Sequence, residues 1–305
     1  MIRNTLAKAI SLAIAGGAIT LAGVSNASAS TTMYNTNKPI TNGNPTDAAA
    51  LSTDGWTRNN NGTNTGTPLP WLGTVGAVRP FGYEGLSIAN WAAHVTAAGD
   101  SLEISQADAA TRYGTAWGPV AGTSYLANID TAKGAWFDGS TGWAHNTDIG
   151  LFKSDVTTEV SIRLTPLFNV SEPDKSWSNF GVTVFTGMDT DTSKATTPNY
   201  SHHAGWNETS FTADNPMGTT GLTYLTHDAT VDATNALVFT AVAGQVYSIY
   251  LGGNSGEGNF NPHAGYRLNL STAAPVPLPG AVWLFGSALV GLLGFGKRNS
   301  SKFSR

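Results

Sequence analysis

Six histidines, nine tryptophans and no cysteine set the chemistry open to this 305-residue chain. The histidines are His94, His145, His202, His203, His227 and His263. Without thiols, imidazole is the natural soft-to-borderline donor, and copper or zinc the natural metal. Gly142-Trp143-Ala144-His145 lies in a Gly-rich stretch that reads as a loop, ahead of a strand near Val156. If that stretch is extended, Trp143 and His145 point the same way, because strand side chains repeat every second residue. His203-Ala204-Gly205-Trp206 and His263-Ala264-Gly265-Tyr266 repeat one small pattern, His-Ala-Gly-aromatic. Each could equally be a loop that joins strands and carries an unliganded imidazole.

Other chemistry is poorly represented. The chain has no His-Glu-x-x-His, no phosphate-binding Walker loop and no Gly-x-Ser-x-Gly elbow, since Gly253-Asn254-Ser255-Gly256 has the wrong spacing. Asp189-Thr190-Asp191-Thr192-Ser193 opens like a calcium loop, but Lys194 stands where the sharp turn needs Gly, and Tyr200 where the metal needs Glu. A solvated turn is the expectation there. Paired carboxylates for sugar hydrolysis are a spatial partnership that no spacing reveals. The chain is therefore expected to bind rather than to catalyse.

The Trp-x-His spacing at Trp143 and His145, in a cysteine-free chain, resembles the surface copper(I)-binding proteins of methane-oxidising bacteria. In that family two histidines hold the metal together with a kynurenine, made by oxidising a tryptophan two residues before the first histidine. The resemblance implies copper(I) as ligand, Trp143 as the kynurenine and His145 as the first imidazole. No motif places the second histidine; His203 is the choice, with His202 and His227 as rivals. A competing reading rests on Trp56, Trp71, Trp117, Trp136, Trp143, Trp177 and Trp206, which mostly neighbour Gly, Pro, Ser or Asn. Carried on loops, such rings could form a flat surface against the sugar rings of an exopolysaccharide. The bland alternative is that they seal the ends of a core.

The elements that must position these residues lie between two terminal segments. Residues 1–29 read as a secretory signal peptide, with Arg3 and Lys8, an apolar run from Ala9 to Val24, and Ala27-Ser28-Ala29 as the cleavage site. Its partners would be the Sec translocon and signal peptidase. Residues 276–305 begin Val276-Pro277-Leu278-Pro279, continue through an uncharged stretch at 280–296, and end with Lys297, Arg298, Lys302 and Arg305. At about 1.5 Å per helical residue the stretch is just long enough to enter the inner membrane as a helix, its cations on the cytoplasmic side. The three parts in this order resemble the PEP-CTERM sorting tail in its VPLPA-type variant, with Gly280 where that variant has Ala. The resemblance implies a Gram-negative envelope, cleavage by an exosortase near the Pro motif, and delivery to the cell surface or extracellular matrix.

Between these ends remain ten cations against twenty acids, a net charge of −10. Nucleic acid and anionic membrane surfaces are bound through clustered cations, so neither is an expected partner. Residues 30–70 read as a polar, loop-rich lead, with turn-rich stretches at Thr41–Asp47 and Arg58–Thr67. Residues 71–275 read as one all-β domain, an antiparallel sandwich of jelly-roll type. Alternation marks strands from Val156 to Leu164, Phe180 to Thr186, Ala236 to Val242, Gln245 to Leu251 and Tyr266 to Leu270. Ala243-Gly244 reads as a tight hairpin and Gly252–Gly258 as a loop. Short helical turns are expected near Ile88–Ala97 and Ala107–Thr111.

Three functions stay open on sequence. One is a surface protein binding copper(I) through Trp143, His145 and a further histidine. The second is a metal-free structural or adhesive matrix protein. The third, ranked last, is a secreted hydrolase acting on matrix polymers.

Overall fold

The computed structural model describes residues 29–37, 71–74, 78–85, 89–114, 126–127, 129–136, 147–167, 179–190, 213–216, 219–254 and 263–273. They all belong to the compact unit Met1–Ala273; the unit Ala274–Arg305 holds no described residue. Residues 1–28 and 274–305, the turn-rich stretches of the lead, Trp143, His145, His202 and His203 therefore lie outside the described residues. No helix among the described residues is long and apolar enough to cross a membrane.

The fold is all-β, with two hydrogen-bonded layers around one core. The first layer runs in the order β1 (Thr31–Tyr34), β3 (Trp91–Val95), β7 (Asp148–Ser154), β12 (Val246–Asn254), β9 (Phe180–Gly187) and β10 (Leu222–Val231). The second runs β11 (Leu237–Ala241), β8 (Thr158–Leu167), β13 (His263–Thr272) and β4 (Ser101–Ile104). Beyond β4, β6 (Asp130–Trp136) takes the same edge of β13, and its far end then pairs with β12. One strand thus joins both layers. A short pair, β2 (Thr36–Asn37) with β5 (Leu126–Ala127), lies apart.

Alternation explains the core. Along β9, Val182 and Val184 point inward with Ile249 and Leu251 of β12 and meet Ile162, Leu164, Leu268 and Leu270 of the opposite layer. Phe152 closes edge-on against Phe239 across the gap, with centroids 6.1 Å apart. β7 and β12 are buried along nearly their whole length because the first layer is covered outside as well. There Met33, Trp71, Tyr83 and Leu151 form one cluster, and Trp136, Ile149, Phe185, Leu222 and Tyr250 another.

Several expectations need correction. The jelly roll is wholly antiparallel, but here β3 runs parallel to β7 and β6 parallel to β12. The alanine-rich Trp91–Val95 is a strand and not a helical turn, since pairing on both sides outweighs a small intrinsic helix preference. The other helical expectation holds: Gln106–Tyr113 is a helix whose Ser105 side chain accepts from the Asp108 N–H. Ala243-Gly244 is a turn, with Gly244 at φ +79°, but it is no hairpin, because β11 pairs with β8 while β12 pairs with β7 and β9. The link crosses between layers. Gly252, Gly253 and Asn254 continue β12 where a loop was expected. Thr31–Tyr34, inside the polar lead, is a strand with Tyr34 fully buried.

Candidate metal centre

Trp136 ends β6 and is fully buried on the outer face of the first layer. Its ring lies flat over Gly181 of β9, where a Cβ would come within 1.9 Å of the indole. Only glycine allows that approach. The indole N–H donates to Thr183 Oγ1 at 2.9 Å, two residues along on the same face. Gly181, Thr183 and Phe185 thus alternate outward while Val182 and Val184 face the core.

His227 of β10 sits directly across from Thr183 in the ladder. Its ring lies 6.1 Å from that of Trp136, tilted by 32°. Its Nδ1 is 2.6 Å from the Tyr224 hydroxyl. Three residues apart on a regular strand, Tyr224 and His227 would face opposite sides. A bulge brings them together: Tyr224 pairs with Phe185 and Thr226 with Val184, leaving Leu225 as the extra residue. Bulges re-aim side chains in this way, and Leu225 is correspondingly exposed. Burial pushes the Tyr224 hydroxyl above its ordinary pKa, so it is a neutral phenol at neutral pH.

The stretch carrying Trp143 and His145 starts and ends at this place. It leaves from Trp136 and returns at Thr147, whose hydroxyl donates to the Ala135 carbonyl at 2.8 Å. Sequence reasoning named His227 only as a rival. Its closeness to Trp136 depends on a bulge and on cross-strand pairing, and no spacing encodes either.

The other histidines fall elsewhere. His94 of β3 is hydrogen-bonded through Nε2 to Asp155 Oδ1 at 2.9 Å and meets the Phe81 ring edge-on. His263 begins β13, in the other layer. Among the described residues no three His, Asp or Glu side chains cluster to hold a metal. Trp71 and Trp136 are buried, which removes both from any flat sugar-binding surface. Asp189, the first residue of the calcium-like run, is itself buried and accepts from the Thr220 N–H.

A separate polar chain runs through the interior. Trp91 Nε1 donates to the Tyr266 hydroxyl at 2.9 Å, which donates to Asp148 Oδ2 at 2.7 Å. Burial, then the Asp148 charge, push the Tyr266 pKa well above its ordinary value of 10.0. With all three fully buried, this array fixes the core and offers no ligand access.

No family model and no curated protein matches the chain. Several solved chains resemble it distantly, two of them as follows. One is described as "CorA is a surface-associated copper-binding protein important in Methylomicrobium album BG8 copper acquisition"; it shares 13% identity, with 48% of this chain and 94% of that one covered, at a TM-score of 0.26. The other is the Methylococcus capsulatus secreted protein MopE, in which "an oxidized tryptophan facilitates copper-binding"; it shares 12% identity, with coverage of 60% and 99%, at a TM-score of 0.27. At such scores neither likeness decides fold or function.

Proposed function

We propose that the chain is an exported cell-surface or matrix protein that binds copper(I) through Trp143, oxidised to kynurenine, His145 and a second histidine. The second imidazole is assigned to His227, with His203 as its rival. One observation carries the assignment: His227 stands against Trp136, where the Trp143 and His145 stretch is anchored at both ends. The donors suit the ion. Copper(I) accepts low coordination and imidazole nitrogen, whereas hard calcium and magnesium take oxygen ligands. Export, exosortase processing near the Val276-Pro277-Leu278-Pro279 motif and release from the inner membrane rest on the sequence of the two terminal segments. The protein acts in this reading as a binding module and not as an enzyme.

The test is a substitution series on the natively produced protein, titrated with copper(I) against a chromophoric chelator. His145→Ala and His227→Ala are each expected to abolish tight binding, while His203→Ala leaves it intact. The peptide holding Trp143 should show the gain of one oxygen and loss of one carbon that mark kynurenine. Tight binding that survives His227→Ala but fails in His203→Ala would move the assignment to His203. An unmodified Trp143 with no copper affinity would leave the metal-free matrix role.

A further inference from the structure

We infer that Tyr224 is the positioning residue of His227, selecting which of its two ring nitrogens is offered to a ligand; this rests on the copper reading above. The imidazole is held on two sides. The Trp136 ring, itself locked to Thr183, neighbours the imidazole at 6.1 Å between centroids, and the Tyr224 oxygen meets Nδ1 at 2.6 Å. A phenol oxygen both donates and accepts, so the pair exists in two forms. When Tyr224 donates, Nδ1 is the acceptor and Nε2 carries the proton. When Nδ1–H donates to Tyr224, the lone pair moves to Nε2. The second form is the one a metal needs, because a ligating histidine normally donates its other N–H to a fixed acceptor.

The bulge at Leu225 indicates that this contact is built into the strand. A regular β10 would put Tyr224 and His227 on opposite faces, and one extra residue puts them on the same face. Bulges are common beside functional sites, and this one has a hydroxyl–imidazole contact as its local result.

The experiment uses the natively produced protein in three forms: wild type, Tyr224→Phe and His227→Ala. Copper(I) affinity is measured by chelator competition, and the ring nitrogens of His227 are followed by ¹⁵N NMR in copper-free and copper-loaded protein. Tyr224→Phe removes one oxygen, and circular dichroism checks its fold. Expected are a copper(I) affinity lowered roughly ten- to a hundredfold in Tyr224→Phe, and a loaded wild type whose Nδ1 is protonated. In the copper-free variant the Nδ1 resonance should shift, while the other histidines stay unchanged. A Tyr224→Phe affinity within twofold of wild type, beside a His227→Ala that no longer binds, overturns the role of Tyr224 and leaves the copper reading standing. Unchanged binding in His227→Ala, or no binding by wild type, overturns both the ligand assignment and this inference.

Discussion

Replacing Gly181 by alanine should destabilise the fold through one defined clash. The added Cβ would meet Trp136 Cδ2 at 1.9 Å, Cε3 at 2.1 Å and Cγ at 2.3 Å. Ordinary contact begins near 3.4 Å, so the indole must retreat by about 1.5 Å. Trp136 is fully buried and cannot retreat without leaving Thr183 and pressing on its neighbours. Overpacking of this kind costs about 1–3 kcal/mol, and a buried N–H stripped of its acceptor about 1–3 kcal/mol more. The sum is about 2–6 kcal/mol. In urea unfolding, at a slope of about 3 kcal/mol/M, the midpoint should fall by roughly 0.7–2 M with the slope unchanged. Gly244→Ala is the control. A Cβ there meets nothing within 4 Å, so its cost is only that of holding alanine at φ +79°, about 1–2 kcal/mol. A Gly181→Ala midpoint equal to wild type would show that the indole does not rest on Gly181, and with it the placement of His227 would lose its footing.

Tyr266→Phe strips Asp148 of a donor and the Trp91 N–H of its acceptor, with an expected loss of about 2–4 kcal/mol in the same urea assay. The pKa of Tyr266 is raised in the fold, so its stabilising contribution is complete below pH 10 and is lost as the unfolded chain ionises above it. Stability should therefore decline above about pH 10 by roughly 1.4 kcal/mol per pH unit for this group, and more gently in Tyr266→Phe. Ser105→Ala removes the cap of the Gln106–Tyr113 helix and should cost about 1 kcal/mol, read from the thermal midpoint.

What sequence could show follows from how local each feature is. Val160, Ile162 and Leu164 alternate cleanly because β8 has one dry and one wet face, and that strand is legible. β7 and β12 lie under cover on both faces; β7 shows no alternation and escapes the sequence reading, whereas Gln245–Leu251 of β12 keeps enough alternation to be read as a strand. Ala92 and Ala93 looked helical because nothing nearby announces that β1 and β7 flank them. Ala243-Gly244 marked a reversal correctly, but whether strands on either side of a turn pair is decided by the whole sheet. The site divides in the same way. Trp143 and His145 are visible as a short spacing. His227 is brought beside Trp136 through Gly181, Thr183 and a one-residue bulge on distant strands, and no linear pattern connects these.

The most direct measurement is the copper content of the natively produced protein from copper-grown cells, taken together with the mass of its Trp143 peptide. The account predicts one copper per chain and a tryptophan that has gained an oxygen and lost a carbon. A metal-free protein with Trp143 intact would contradict it.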